Sequence, residues 1–173
     1  DIESIHAYEE WCESGRLSHD IFWPCLIFKS RDNARTPMQW DDTTYAGFST
    51  ATPWIAVNPN YTKINAKLQT SNPNSIFHYY KKLISLRKQY PVIVYGKYEL
   101  LLKNDKELYV YTRTMEKTKI LVVCNFTKNH TSFQIPEEFT NAECLISNMY
   151  NSYTNSSIDL KPYESFVLLK NET

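Results

Sequence analysis

The hydrophobic period of this 173-residue chain changes near residue 90, and that change limits the fold more than any other feature. Before it, apolar residues recur at helical spacing. After it come short segments rich in Leu, Val, Ile, Tyr and Phe, at 98–103, 107–114, 118–126, 131–135, 143–148 and 164–170. Asn104-Asp105 and Lys117-Thr118 fall in turns between them. Strands about ten residues apart with no helix between them point to an antiparallel sheet or sandwich. The chain therefore reads as α+β, with its boundary at Tyr90-Pro91 to Tyr95-Gly96.

Within the first half, Ile2, Ile5, Tyr8, Trp11 and Cys12 trace one helical face, and Gly15 is a natural stop. Ser18 is a good N-cap for a second short helix, which Pro24 should kink or end. From Lys29 to Asn60 no period holds. This stretch carries Pro37, Pro53, Pro59, Trp40 and Trp54 and reads as a long ordered loop, of a length that usually signals function. Asn74 or Ser75 then caps a strong helix that ends before Pro91. Its apolar face is Ile76, Tyr79, Tyr80, Leu83, Ile84 and Leu86.

Composition removes several function classes. Nineteen basic and nineteen acidic residues cancel, so neither a nucleic-acid face nor an acidic tail is present. No apolar run approaches the roughly 20 residues that span a bilayer. Three glycines are too few for a GxGxxG or P-loop cradle, so no nucleotide cofactor is expected. The cysteines at 12, 25, 124 and 144 match no zinc or CxxC spacing and read as reduced thiols in apolar packing. His6, His19, His78 and His130 lack a nucleophile-elbow context and read as surface or packing residues, and no spacing suggests a metal. The chain opens Asp1-Ile2-Glu3 without Met or a signal segment, as a processed protein or a piece of something longer would.

The densest polar patch is Ser30-Arg31-Asp32-Asn33-Ala34-Arg35-Thr36-Pro37-Met38-Gln39-Trp40. Planar polar groups of this kind can pair with vicinal hydroxyls, and an indole can cover the apolar face of a sugar. On residue types alone, an Arg–Asp network pinning a long loop, with Trp40 buried, is the favoured account. Asp41-Asp42 could be a carboxylate pair, but adjacent side chains point apart, and a solvated turn is the better reading.

The run from Ser30 to Asp41 resembles a signature of the α-glucosidase branch of the α-amylase family, which includes oligo-1,6-glucosidases, dextran glucosidases and trehalose-6-phosphate hydrolases. The resemblance continues through Ala46-Gly47-Phe48, Pro53-Trp54, Val57-Asn58-Pro59-Asn60-Tyr61 and Ile64-Asn65. Further on it takes in Ser75-Ile76-Phe77, Tyr80-Lys81-Lys82-Leu83-Ile84, Leu86-Arg87, Val122-Val123-Cys124-Asn125-Phe126 and Leu160-Lys161-Pro162-Tyr163-Glu164. Pro24 departs from it, since that stretch is usually uninterrupted helix.

The resemblance implies the end of a (β/α)8 barrel, a long βα loop plus the last helix, followed by an antiparallel β-sandwich. Residues 1–90 would close the barrel and 91–173 would form the β-domain. Barrels build their active sites from βα loops, which accounts for the long loop. Family hydrolysis is retaining and uses two carboxylates. These would lie on earlier strands, and the family's calcium site, where present, outside this stretch, so the chain itself would supply no catalytic residue. Arg31 matches an arginine that reaches the sugar-binding pocket, while Asp32, Asn33 and Arg35 would hold the loop near the site. The implied parent is a cytoplasmic α-glucosidase taking a small oligosaccharide or disaccharide, α-1,6-linked in the first instance, with no cofactor, nucleic-acid or membrane partner. The alternative is a non-catalytic relative such as an amino-acid transporter heavy subunit, in which the RDNAR stretch is usually lost. Sequons at Asn60, Asn125, Asn129, Asn155 and Asn171 argue only weakly for secretion in so Asn-rich a chain.

Overall fold

Helices fill the N-terminal part of the computed structural model and strands the C-terminal part. It describes residues 1–149, 153 and 156–171. Two compact units divide the chain, Asp1–Pro73 and Asn74–Thr173. The strong helix belongs with the strands, so the units part some seventeen residues (73 against 90) before the change of period.

The first unit holds α1 (Ile2–Tyr8), α2 (His19–Lys29) and α3 (Ala66–Ser71). α1 runs into a π-helical turn, Glu9–Glu13, and Gly15 follows at φ +76°. Ser18 sits at the N-cap of α2 in extended conformation, but its side chain makes no capping bond. Of the two outcomes expected of Pro24, a kink or an end, the end does not occur. Proline removes one ladder donor, and the helix continues for five more residues to Lys29. The long loop is broken by three 3₁₀ turns, Arg31–Ala34, Thr44–Gly47 and Pro59–Thr62. Only Pro37, Ala46 and Asn65 are buried in this unit.

In the second unit, α4 (Ile76–Gln89) starts where the Ser75 side chain accepts from the His78 amide. A single turn, α5 (Val92–Tyr95), follows between Pro91 and Gly96. The strands are β1 (Lys97–Leu100), β2 (Leu108–Met115), β3 (Thr118–Asn125), β4 (Thr131–Gln134), β5 (Glu143–Ser147), β6 (Ser157–Leu160) and β7 (Ser165–Asn171). An antiparallel sheet of order β1-β2-β3-β7-β5 faces a two-stranded sheet, β4-β6. β6 has no counterpart among the strands read from sequence.

Strand alternation divides the apolar residues of the large sheet between two layers. Leu108, Val110, Leu121, Val123, Phe166 and Leu168 meet Phe133, Leu160, Phe139 and Tyr153, which closes the sandwich. Ile120, Val122 and Leu169 turn the other way and pack with Leu145, Val92 and Leu86. β3 is thus covered on both faces, which is why Ile120–Val123 reads as an unbroken apolar run. A buried polar node closes one end. Glu164, fully buried, accepts from the Tyr153 hydroxyl (2.8 Å) and the Lys161 amide (2.8 Å).

Candidate functional site

Arg31 opens the 3₁₀ turn directly after α2, so its position depends on how that helix ends. The Ser30 amide closes α2 onto Leu26 O (2.9 Å), and the Asn33 side-chain amide donates back to Ile27 O (2.6 Å). The carboxylate of Asp1 gathers the segment. It accepts from the amides of Ser4 (3.1 Å) and Arg31 (2.8 Å) and from the Ser30 hydroxyl (3.2 Å). The Arg31 guanidinium lies 3.5 Å from that carboxylate and 3.2 Å from Glu3. Its side chain stays 45% exposed and Glu3 71%, so that outer pair contributes only about 0.2–1 kcal/mol.

Of the expected site residues, the fold joins two and separates two. Arg31 and Asp32 share one network, with the Asp32 carboxylate 3.3 Å from the amino nitrogen of Asp1. Asn33 caps α2 instead. Arg35 donates its amide to Asp32 O (3.2 Å), and its guanidinium forms no ion pair among the described residues. A recess of 230 Å³ lies beside Arg31, with Glu3, Phe22, Leu26 and Lys29 in its wall.

Downstream, residues 39–41 are gripped from two sides. Ala46 O accepts from the amides of Trp40 (2.9 Å) and Asp41 (3.2 Å). Gln39 O and Trp40 O accept from Ala66 (2.9 Å) and Lys67 (3.0 Å) at the start of α3. The Gln39 side chain donates to Asn60 (2.9 Å), away from the Arg31 network. The grip depends on left-handed backbone at Tyr45, Ala46 and Gly47 (φ 53°, 58° and 65°). Only glycine fits at 47, since a Cβ there would stand 2.8 Å from the Asp41 carboxylate. That carboxylate accepts from the side chain and the amide (2.8 Å) of Thr43, and these bonds hold its pKa below the ordinary value. Asp42 instead faces Lys67 at 3.8 Å. The adjacent pair is a turn, with separate partners.

Trp40 itself is 53% exposed. The expectation of a buried indole fails because its backbone, not its ring, is what the loop holds. Sequence reading also passed over two caps. Asn58 accepts from Asn60 (3.1 Å), and the buried Asn65 accepts from Leu68 (2.9 Å) while donating to Tyr61 O (2.8 Å). An Asn before Pro, and an Asn three residues before an apolar one, are the signals that would have found them. Asp32, Asp41 and Asp42 all have structural partners.

His19 is held by the Tyr8 hydroxyl (2.9 Å) and stacks on Trp23, and His130 pairs with Asp159 (2.9 Å). All four cysteines are free thiols. Asn125 is buried with its side-chain amide donating to Asn129 O and Lys161 O and its carbonyl accepting from Thr127, so that sequon is closed to a glycan. The Asn155 sequon lies outside the described residues.

Comparison with known proteins gives the chain its relatives. Residues 9–96 match the family model for the α-amylase catalytic domain, and residues 108–167 that for the α-amylase SusG C-terminal domain. The chain is 45% identical over 171 residues to an oligo-1,6-glucosidase of Parageobacillus thermoglucosidasius, covering 96% of this chain and 30% of that protein. It is 46% identical over 178 residues to an oligo-1,6-glucosidase of Halalkalibacterium halodurans, covering 99% and 31%. Among solved structures, the trehalose-6-phosphate hydrolase of Bacillus licheniformis superposes with a TM-score of 0.89 at 40% identity, covering 99% of this chain and 32% of that one. The chain thus spans about a third of the length of the relatives it matches.

Proposed function

Since the chain belongs to the α-amylase family, we propose that it is the C-terminal part of a retaining α-glucosidase of the oligo-1,6-glucosidase type. The single observation that carries this is 45% identity to an oligo-1,6-glucosidase across nearly the whole chain. Residues 1–90 then finish the catalytic barrel and 91–173 form the β-domain, a division supported by the two adjacent family matches.

In this reading the loop is part of the rim of the sugar pocket. Arg31 presents a charged, planar fork that is paired on one side and half exposed on the other. Such a fork orients a carboxylate or a sugar hydroxyl and strengthens as water is excluded. Asp32, Asn33 and Arg35 keep the turn in place. The two reacting carboxylates come from the remainder of the parent. The substrate is a short α-1,6-linked gluco-oligosaccharide. The cytoplasm fits four free thiols, and among the described residues no helix is long and apolar enough to cross a membrane.

The test is a substrate panel on the complete parent. Isomaltose should be hydrolysed faster than maltose or trehalose-6-phosphate, with α-glucose appearing first in the NMR spectrum. Preference for trehalose-6-phosphate would make the parent a trehalose-6-phosphate hydrolase instead. β-Glucose appearing first would remove the retaining mechanism.

A further inference from the structure

One carboxylate joins the start of α1 to the residue that follows α2. Asp1 and Arg31 are 30 residues apart, yet the Asp1 side chain, only 8% exposed, serves both places. Its Oδ1 accepts from the Ser4 amide (3.1 Å), which caps α1, and lies 3.5 Å from Arg31 Nη2. Its Oδ2 accepts from the Arg31 amide (2.8 Å) and the Ser30 hydroxyl (3.2 Å). Arg31 is therefore held at its main chain and at its guanidinium by the same group. Glu3 meets Nε from the exposed side (3.2 Å), and Nη1 has no partner among the described residues.

Helix capping alone does not account for this carboxylate. One oxygen satisfies the Ser4 amide, and a serine serves as well at such a position. A buried carboxylate is costly unless its oxygens are bonded, and here every further bond goes to residues 30 and 31. What these bonds fix is direction. An arginine side chain has many rotamers, and a free one gives up that freedom when it meets a ligand. The bond to the Arg31 amide sets where the side chain starts, and the ion pair sets which way its fork turns.

We propose that Asp1 is a positioning residue for α-glucoside hydrolysis, acting through Arg31 by holding the fork in its sugar-binding direction before substrate arrives. The proposal rests on the reading of Arg31 as the arginine of the sugar pocket. Asp1 itself touches no substrate, since its side chain is covered by the groups it holds.

The test is kinetic, on the complete parent with the best substrate of the panel. Asp1→Ser keeps an oxygen for the Ser4 amide but is too short to hold Arg31. Asp1→Asn keeps the volume but loses the charge and one of the two acceptors. Each should lower kcat/KM about tenfold with Tm little changed, because a small misplacement of a binding group is costly in rate. On an Arg31→Ala background neither should lower it further, since groups that act through one another are not additive. A residue that only capped α1 would leave Asp1→Ser with parental kinetics. Parental kcat/KM in either variant overturns the proposal, and so does a double variant whose loss is the product of the two single losses. If Asp1→Ser does not fold, Asp1→Asn decides by the same readings. Arg31→Ala with parental kinetics removes the sugar-pocket reading and the proposal with it, a failure told apart because it shows in the arginine variant alone.

Discussion

Phe166 and Trp54 are both large aromatic side chains, and the two units treat them in opposite ways. Phe166 is 1% exposed and its ring stacks on Tyr153 at 4.0 Å; Trp54 is 92% exposed. The contrast runs through each unit. The second buries two apolar layers, one on each face of β3. The first leaves Trp11, Trp23, Trp40, Trp54 and Phe28 exposed, and owes its shape to helix caps, the Asp1 carboxylate and the grip on residues 39–41. Hydrogen bonds alone contribute only about 0.5–1.5 kcal/mol each, so a unit held this way specifies a shape without strongly stabilising it. In the proposed parent, the rest of the barrel would supply the missing cover.

The largest expected effect tests the burial side of this contrast. Phe166→Ala should cost about 3–5 kcal/mol in urea denaturation of the chain, because it empties a site that β2, β3 and β7 close around. Trp54→Ala should stay within about 0.5 kcal/mol in the same assay. Equal costs would show that the first unit owns a core. Native-state hydrogen exchange gives the same comparison amide by amide. β3 should open only globally and the 36–60 loop at free energies near zero.

A second expectation concerns function instead of stability. In the complete parent, Arg31→Ala should lower kcat/KM about 10²-fold with little change in Tm, since the side chain is half exposed in this chain and, in the proposed reading, its fork would meet substrate in a closed pocket. Lysine should rescue poorly, lacking the planar geometry. A fall in Tm with kinetics intact would return Arg31 to a purely structural role.

The sheet was legible in the sequence because its burial is regular. Alternation in β2 and β7 and the unbroken run in β3 leave direct traces. β6 left none, since Ser157 and Asp159 are half of it and only Ile158 and Leu160 face inward. The one-turn α5 was hidden by its own brackets: Pro91 and Gly96 read as breakers, yet they are the residues that start and stop a helix. At the candidate site the motif was legible and its geometry was not. Spacing placed Arg31, Asp32, Asn33, Arg35 and Gln39 together, whereas the fold sends Asn33 to α2 and Gln39 to Asn60. Left-handed backbone at Tyr45 and Ala46 has no signal in those residue types, and only Gly47 hints at it.

Gly47→Ala sharpens the hydrogen-bonded side of the comparison. It meets both a left-handed φ and the Asp41 carboxylate, so a cost of about 1–3 kcal/mol is expected, confined to the first unit. Exchange at the Trp40 and Asp41 amides should rise sharply while β3 is unaffected. Unchanged exchange there would mean that the turn does not hold the loop.

The smallest effect is a pH dependence of the same turn. Thr43 bonds to the ionised Asp41 carboxylate and depresses its pKa in the folded turn below the ordinary 3.8. A depressed carboxylate contributes its stabilisation above the unfolded value and loses it as pH falls through the folded value. The turn should therefore be equally tight at every pH above about 5, and loosen only on acidification below the ordinary aspartate range. Trp40 fluorescence, read against added quencher, reports the loosening. Asp41→Asn should abolish the acid transition, because an amide keeps its charge state throughout. Asp42→Asn should retain it, since Asp42 faces Lys67 and holds no turn amide. A transition that survives Asp41→Asn would place the titrating group elsewhere, and the grip on residues 39–41 would then owe nothing to that carboxylate's charge.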